Sequence, residues 1–344
     1  MKITDFDYEL PTDLIAQAPL AERDASRMLV LDRGWETWSD SSFKSFASYL
    51  RSDDVVVVNN SRVIPARLIG QREGTGGHVE IFLVREVEPL VWEALVRPGA
   101  RLKQGSRATF GAGKLIAEML DAPGTELRRV RFHCEGSFDE TLAEIGSTPL
   151  PPYIKRPSGL TNTDRERYQT VYSKHRGAIA APTAGLHFTP EVLAQVSEIA
   201  SIAEVTLHVG YGTFEPVRVE DVAQHSVSSE RFEISESSAQ TINEARARGG
   251  RVIVVGTTTM RALESAATDD GQVVAGQGIA SLTITPGYRF RIAGALLTNF
   301  HLPQSSLLIL VSAFAGREFT LSAYQHAVSQ RYRFYSYGDC MLIL

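Results

Sequence analysis

Apolar and polar positions alternate over short distances between Ile69 and Cys134, with little sign of helical spacing. The stretches 78–84 and 127–132 alternate in this way, and glycines and prolines separate such stretches. Alternation with a period of two is typical of strands with one buried face, and short strands between turns are typical of small barrels. A helix over 134–148 and prolines at 149, 151 and 152 follow. The pattern predicts an inserted all-β, barrel-like domain over residues 67–149.

Strands and helices alternate after these prolines. Thr189-Pro190 is typical of a helix start, and Ser235 is expected to cap a helix that ends at Gly249-Gly250. Apolar strands are expected over 205–209 and 251–255, a further pair of strands around Pro286-Gly287, and two helices separated by Gly316. This order predicts an α/β main domain with a mixed sheet, formed by residues 1–66 and 150–344.

Composition sets limits on the class of protein. The chain has 344 residues, of which 43% are hydrophobic, so it can bury a sizeable core. Its two cysteines, Cys134 and Cys340, lack metal-ligand spacing, which excludes a zinc site built on thiolates. The longest apolar run, 306–315, is shorter than the roughly 20 residues that a membrane span needs, and the first residues do not resemble a signal segment. We therefore expect a cytoplasmic monomer without a membrane partner.

The charge distribution is uneven. The chain carries a formal charge of −5, and residues 1–59 alone account for −5, while residues 60–134 carry +4. Residues 150–176 also carry +4. Either the basic segments are solvated faces paired with acids elsewhere, or they direct a phosphate backbone to one surface.

Four loops combine glycine or proline with polar side chains beyond an apolar segment. They are Ala180-Ala-Pro-Thr-Ala-Gly-Leu-His-Phe-Thr189, Thr206-Leu-His-Val-Gly-Tyr-Gly-Thr-Phe214, Gly256-Thr-Thr-Thr-Met-Arg261 and Thr298-Asn-Phe-His-Leu-Pro303. Ligands of α/β proteins bind in crevices beyond the carboxyl ends of strands. Four such loops in one chain predict that they converge on one site.

The chain resembles the S-adenosylmethionine:tRNA ribosyltransferase-isomerase family of queuosine biosynthesis along essentially its whole length. Besides the four loops, the matching blocks are Asp5-Phe-Asp-Tyr-Glu-Leu-Pro11, Ser26-Arg-Met-Leu-Val-Leu31, Asn59-Asn-Ser-Arg-Val-Ile-Pro-Ala-Arg67, Leu150-Pro-Pro-Tyr-Ile154, Tyr168-Gln-Thr-Val-Tyr172, the run 307–316 and Tyr335-Ser-Tyr-Gly-Asp-Cys-Met-Leu-Ile343. So many blocks in order are far more specific than any single motif. The resemblance implies the same two-domain arrangement.

The resemblance also implies a reaction. The ribosyl part of S-adenosylmethionine is transferred and isomerised onto 7-aminomethyl-7-deazaguanine at the wobble position of tRNA, which gives epoxyqueuosine and releases adenine and methionine. S-adenosylmethionine is then a cosubstrate and tRNA a partner. No other cofactor is expected, because the sequence shows no metal-ligand cluster and no Gly-x-Gly-x-x-Gly after a strand.

Residue chemistry selects candidates within this family site. Histidines titrate near neutral pH, so His187, His208 and His301 are the catalytic candidates, although each alone could be a histidine that only orders its loop. A sulfonium favours carboxylates and aromatic faces, and a glycine-threonine turn offers N–H and hydroxyl groups. The expected cosubstrate contacts are Gly185, Phe214, Glu230, Gly256, Thr257, Thr258, Tyr288, Asn299, Phe300 and Asp339. The expected tRNA contacts are Arg62, Arg67, Lys155, Arg156, Arg165, Arg167, Lys174 and Arg176.

Three positions depart from the family pattern. Ser228 stands where a histidine is expected, Thr285 where a tyrosine is usual, and Gly294 where an aspartate is expected. Serine does not buffer a proton near pH 7, and glycine has no side chain to contact a cation. Two alternatives therefore stay open: a non-catalytic tRNA-binding paralogue and a tRNA methyltransferase.

Overall fold

Two apolar runs, 55–58 and 252–255, form adjacent strands inside a nine-stranded sheet in the computed structural model. The structure describes residues 1–156, 162–214 and 216–344, with the backbone alone at 162, 213 and 214. The strands are β1 (Arg27–Asp32), β2 (Thr37–Ser42), β3 (Val55–Asn59), β4 (Ser61–Val63), β5 (Arg67–Arg72), β6 (His78–Glu88), β7 (Val91–Arg97), β8 (Arg107–Phe110), β9 (Leu115–Met119), β10 (Arg128–Cys134), β11 (His175–Ala178), β12 (Ser201–Leu207), β13 (Glu230–Ile234), β14 (Val252–Val255), β15 (Gly276–Ala280), β16 (Ala295–Asn299) and β17 (Cys340–Ile343). The helices are α1 (Phe138–Ile145), α2 (Asn162–Arg167), α3 (Pro190–Ile199), α4 (Glu236–Ala247), α5 (Thr257–Ser265), α6 (Ser306–Ala315) and α7 (Arg317–Ser329).

The large sheet is mixed, with the order β15-β13-β12-β3-β14-β16-β17-β1-β2. Its central strands β12, β3, β14 and β16 are parallel, which explains why β3 and β14 are apolar without interruption: both of their faces are covered. Val55 and Val57 join the core beneath α4 to α7, and Val56 and Val58 join the core beneath α3. Because the central strands are parallel, their carboxyl ends lie at one edge of the sheet.

The second unit is a closed barrel of six strands, in the order β10-β7-β6-β5-β8-β9, all within the described stretch 67–134. Its inward positions form a separate apolar core, and Leu142 of α1 packs against that core. The predicted fold class, an α/β domain with a mixed sheet and a smaller all-β barrel, is confirmed. The domain boundaries at 66/67 and 149/150 stay a prediction.

Local signals at the helix ends are confirmed in two cases. Thr189 Oγ1 accepts from the N–H of Val192 with Pro190 at the first helical position, and Ser235 Oγ accepts from the N–H of Ser238. The helix expected over 134–148 is shorter, because Ser137 caps α1 and Gly146 ends it. The strands on either side of Pro286-Gly287 form, but they do not pair with each other: β15 pairs with β13, and β16 pairs with β14 and β17.

The described helices are short in relation to the thickness of a membrane. Within the described ranges, no single helix is both long and apolar enough to cross one. Only α6 and α7 taken together have the length and composition, and they are bent by 115° relative to each other.

Candidate active site

A small cavity lies at the carboxyl ends of β14 and β16. This inner cavity has a volume of about 50 Å³. Its lining includes residues of all four predicted loops, namely Ala180, Ala181, Pro182, Thr183, Ala184, Val209, Gly256, Thr257, Thr258, Thr298, Asn299 and His301. The four loops therefore converge at one edge of the sheet, as their sequence pattern predicts.

Gly256 shapes one wall of the inner cavity. Its φ of +91° lies in the region that favours glycine, and it allows β14 to lead directly into α5. Thr257 and Thr258 then form the first turn of α5 beside the cavity. The N–H groups of a first helical turn have no acceptor within the helix, so this wall suits a negatively charged or hydroxyl-bearing ligand.

A second cavity, the helix cavity, lies at the N-terminal end of α6. It has a volume of about 270 Å³, and its lining includes His225, Arg261, Ser306 and Leu307. His225 Nε2 lies 2.8 Å from Ser306 Oγ, and burial lowers the pKa of this histidine. Leu307 and Tyr335 also line the inner cavity, so the two spaces adjoin.

A third and larger cavity, the barrel cavity, lies between the barrel and the sheet. It has a volume of about 560 Å³ and is lined by β6 and β7 on one side and by the loops that follow β12 and precede β13 on the other. Gly212, Ser228 and Glu230 line both the barrel cavity and the helix cavity. The three cavities thus adjoin one another and together are called the cleft, and ligand sites commonly occur at such junctions between domains.

The three candidate histidines line different spaces. His301 lines the inner cavity and His208 the barrel cavity, whereas His187 lines a space of about 20 Å³ behind the inner cavity. The loop pattern allows the three imidazoles to converge, but they line three separate cavities. The reason is that each loop leaves its strand in its own direction, and sequence position does not fix where its side chain points.

His187 and His301 are neutral and held by hydrogen bonds. His187 Nδ1 lies 2.9 Å from Ser26 Oγ and Nε2 lies 3.3 Å from Asn299 Oδ1, while His301 Nε2 lies 2.9 Å from Thr298 Oγ1. Burial lowers the pKa of His187 to about 4 and that of His301 to about 3. Both side chains are thus weak proton acceptors at neutral pH, and His187 has both ring nitrogens engaged.

His208 differs in its surroundings. Its Nδ1 is buried and has no hydrogen-bond partner among the described residues, and a Cβ at Gly177 would lie only 2.8 Å from that nitrogen. Protonating both ring nitrogens would leave a buried N–H without an acceptor. Burial lowers the pKa of His208, so the imidazole is held neutral while its ring borders the barrel cavity.

Glu230 belongs to a buried polar network with Arg261. Glu230 Oε2 accepts from Arg261 Nη1 at 2.6 Å, and Oε1 accepts from the N–H of Gly210 at 2.9 Å. The same guanidinium donates to the backbone oxygens of Ser228, Ala280 and Leu282. Burial raises the pKa of Glu230, and the charge of Arg261 opposes that shift. The network ties α5 to three loops of the cleft.

Sequence reasoning did not assign a role to Arg261. Its position in the sequence could have suggested a role, because Arg261 ends the glycine-threonine segment. In the structure it lies on α5, where its side chain is buried. A charged residue at a buried helical position calls for a buried partner, but only the structure shows that the partner is Glu230.

Four of the other predicted cosubstrate contacts line a cavity, four line none of the three cavities, and one cannot be placed. Gly256, Thr257, Thr258 and Asn299 line the inner cavity. The side chain of Phe214 lies outside the described residues.

Gly185, Tyr288, Phe300 and Asp339 line none of these cavities, and packing explains each of them. A Cβ at Gly185 would overlap the hydroxyl of Tyr172, Tyr288 donates to Glu264, and Phe300 is buried among aromatic rings. Asp339 accepts from the backbone N–H groups of residues 27 and 333. These contacts give each of the four residues a structural role, and their contact with the cosubstrate stays a prediction.

Three of the predicted tRNA-contacting residues are ion-pair partners of acids. Arg67 pairs with Glu80 at 3.1 Å, Arg156 with Asp164 at 2.6 Å, and Lys174 with Glu204 at 2.7 Å. Arg167 donates to the backbone oxygens of residues 20 and 21. Arg62, Lys155, Arg165 and Arg176 are exposed, as is the ion-paired Lys174. Their binding to tRNA stays a prediction.

The three departures from the family pattern lie in different places. Ser228 lines both the helix and barrel cavities, so this substitution lies within the cleft. Thr285 is half-buried and lines none of the three cavities. Gly294 immediately precedes β16, at the end of that strand opposite the cleft, where a Cβ would lie 3.2 Å from that of Arg251. Only the first departure alters the lining of the cleft.

Comparison with known proteins matches this architecture along the whole chain. The model of a family described as queuosine biosynthesis protein matches residues 3–343. The chain belongs to this family. The described residues of this chain contain no group of three or more histidine, cysteine, aspartate or glutamate side chains that could hold a metal ion.

Curated relatives and one solved structure in the family extend the match. Proteins named S-adenosylmethionine:tRNA ribosyltransferase-isomerase are 48% identical in Desulforamulus reducens, 49% in Pelotomaculum thermopropionicum and 48% in Clostridioides difficile, over 100% of both chains in each case. The crystal structure of an S-adenosylmethionine tRNA ribosyltransferase from Thermotoga maritima is 35% identical, with a TM-score of 0.55 over 99% of this chain and 100% of that one. The similarity therefore spans both structural units of this chain.

Proposed function

We propose that this chain is an S-adenosylmethionine:tRNA ribosyltransferase-isomerase. It transfers and isomerises the ribosyl part of S-adenosylmethionine onto 7-aminomethyl-7-deazaguanine at the wobble position of tRNA, and it releases adenine and methionine. The observation that carries this proposal is the identity of about 48% to proteins of that name over 100% of both chains. We place the reaction in the cleft at the carboxyl edge of the sheet.

The inner and helix cavities together accommodate the cosubstrate in this proposal. The inner cavity alone, at about 50 Å³, is too small, but it adjoins the helix cavity of about 270 Å³ at Leu307 and Tyr335. The first turn of α5 offers N–H groups and the hydroxyls of Thr257 and Thr258 to a carboxylate or to ribose hydroxyls. Glu230, a buried acid in the wall of the helix cavity, would lie close to the sulfonium, with its own charge balanced by Arg261.

Proton transfer is assigned to His208. The sulfonium acidifies the adjacent 5′-carbon, and the aminomethyl group must lose a proton before its nitrogen can form a bond, so the reaction needs a proton acceptor. His208 is held neutral, and it borders the cavity that shares a wall with the helix cavity. His301, whose pKa is about 3, and His187, whose ring nitrogens are both engaged, act as positioning residues for Thr298 and Asn299.

The direct test is product analysis. Purified protein, S-adenosylmethionine and tRNA that carries the aminomethyl deazaguanine should give epoxyqueuosine in digested tRNA, with free adenine and methionine in equal amounts. S-adenosylhomocysteine as the nucleoside product would instead identify a methyltransferase. Binding of tRNA without any adenine release would identify a non-catalytic paralogue, the alternative that Ser228 in the cleft lining favours.

A further inference from the structure

We propose that an arginine cluster outside the cleft binds a phosphate group. Arg23 and Arg167 line the space of about 20 Å³ behind the inner cavity, which we name the arginine pocket. Among the described residues, its lining shares only Ser336 with the inner cavity and none with the helix and barrel cavities. Arg333 lies beside the pocket, because its guanidinium donates to the backbone oxygen of residue 18, which directly precedes the lining residues 19 and 20. The site is thus separate from the cleft in which we place the reaction.

The three guanidiniums of this cluster form no ion pair with an acidic side chain among the described residues. Each of the three side chains is half-buried, and each donates to backbone oxygens instead. Arg23 donates to the oxygen of Leu186 at 3.2 Å, and Arg167 donates to that of Leu20 at 2.7 Å. Such bonds orient a guanidinium, but a neutral carbonyl group leaves its positive charge in place. The cluster therefore holds an excess of positive charge away from bulk water.

The buried acid beside the cluster, Asp339, compensates at most one of the three charges. It attracts Arg333, but its carboxylate oxygens accept from the backbone N–H groups of residues 27 and 333. Burial lowers the pKa of Arg23, and the neighbouring charge of Arg167 lowers it further. Like charges at short range repel each other, and an anion between them removes that repulsion.

Three hydrogen-bond donors at the site have no acceptor within the described part of the chain. Two of them are Arg167 Nε and Arg333 Nη1, which are both buried. The third is the hydroxyl of Tyr337, a residue of the pocket lining that is only 5% exposed. A buried donor without an acceptor costs stability, so a ligand that supplies acceptors gains by completing it.

The hydroxyl of Tyr337 lies among the guanidiniums. Burial and the charge of Asp164 raise its pKa, and the charges of Arg156, Arg167 and Arg23 oppose that shift. Asp164 is itself paired with Arg156 at 2.6 Å, so the remaining charge around the hydroxyl is positive. A neutral hydroxyl next to cations can donate to an anion that the cations attract.

A phosphate group suits this arrangement better than a carboxylate. Its tetrahedral oxygens can accept from donors on several elements at once, whereas a carboxylate offers two oxygens in one plane. A space of about 20 Å³ holds roughly one water-sized atom, so one phosphate oxygen enters the pocket and the others stay at its mouth beside the half-buried guanidiniums. A free phosphate and a phosphodiester of RNA both meet this requirement.

The test removes the hydroxyl of Tyr337 without removing a hydrogen bond within the described chain. Tyr337→Phe is compared with the wild type and with Tyr172→Phe. Tyr172 is the matched control, because it is also buried with an unpartnered hydroxyl but lines neither the arginine pocket nor the cleft. The dissociation constant of inorganic phosphate is measured by titration calorimetry at constant ionic strength, without either substrate, so the result is independent of the proposed function.

The wild type should bind phosphate saturably. Tyr337→Phe should weaken this binding by about 10- to 150-fold, the range for one hydrogen bond to a charged group, and Tyr172→Phe should leave it unchanged. Without phosphate, the Tm of Tyr337→Phe should not decrease, because the hydroxyl has no partner to lose. No saturable binding by the wild type would overturn the proposal, as would equal affinities of the wild type and Tyr337→Phe.

An anticodon stem-loop that carries the aminomethyl deazaguanine distinguishes the two sources of phosphate. If the site takes a phosphodiester of RNA, inorganic phosphate should displace the stem-loop in fluorescence anisotropy, and Tyr337→Phe should weaken the stem-loop as well. If it takes free phosphate, stem-loop affinity should be the same in the wild type and Tyr337→Phe. Phosphate binding that depends on Tyr337, in a protein that forms no epoxyqueuosine, would contradict the proposed function and support the site.

Discussion

Replacing Glu230 with glutamine tests whether the buried ion pair with Arg261 holds the cleft together. The side chain of Glu230 is 4% exposed and that of Arg261 is 10% exposed, and glutamine keeps the size and one acceptor oxygen while it removes the charge. The guanidinium is then buried without a counter-charge. Breaking a buried pair from one side costs about 3–5 kcal/mol.

That free energy converts into a shift of the melting temperature. An unfolding entropy of about 2.1 cal/mol/K per residue gives about 0.7 kcal/mol/K for 344 residues. Glu230→Gln should therefore lower Tm by about 4–7 °C in differential scanning calorimetry, and by more if the barrel unfolds separately from the rest. Glu233→Gln is the matched control, because Glu233 is on the same strand and exposed, and it should change stability by at most about 0.5 kcal/mol.

Two outcomes would refute this reasoning about Glu230. A melting temperature within about 1 °C of the wild type would mean that solvent in the adjoining cavities already compensates the charge of Arg261. An equal loss in Glu230→Gln and Glu233→Gln would mean that the effect belongs to strand β13 in general and not to the pair.

Three further predictions concern catalysis, pH and RNA binding. His208→Ala should lower turnover by about 10²- to 10⁴-fold with little change in Tm, whereas a matching loss of Tm would indicate a structural histidine. The folded pKa of His187 is about 4 and its unfolded value about 6.5, so its contribution to stability should be fully present above pH 6.5 and should fall by about 3 kcal/mol as the pH decreases to 4. Tm measured against pH should show this decrease, and His187→Asn should remove the part due to His187 while the similar part due to His301, whose pKa is about 3, remains. An Arg62→Gln, Arg176→Gln double variant should reduce the slope of log affinity against log salt for tRNA by roughly 1.4–1.8, whereas Arg331→Gln, at an exposed arginine that follows α7, should leave it unchanged.

Local sequence patterns were sufficient to predict those structural features that depend on neighbouring residues alone. The alternation between Ile69 and Cys134 predicts strands of a barrel, because side chains on a strand point to opposite faces in turn. The starts of α3 and α4 follow from Thr189 and Ser235, whose side chains satisfy N–H groups within three residues. Convergence of three of the four loops follows from the parallel strands β12, β14 and β16, whereas the loop 180–189 follows β11, which lies in a separate two-stranded sheet with β4.

The partners of the basic side chains were decided only by the tertiary structure. Arg156 belongs to a basic segment, yet its guanidinium is held by Asp164, so the sequence alone suggests a phosphate contact where the fold forms an ion pair. The same applies to Arg67 with Glu80 and to Lys174 with Glu204. Charge counts along a segment do not show which charges meet, because pairing depends on which elements pack together.

The sequence by itself determined the two units, the edge of the sheet that carries the site and the residue types available there. It did not determine which cavity each of the three histidines borders. Loop direction, the burial that shifts each histidine's pKa, and the hydrogen bonds to Ser26, Asn299 and Thr298 arise only when separate elements pack against one another. For that reason, His208 is distinguished from His187 and His301 by the tertiary structure and not by its motif.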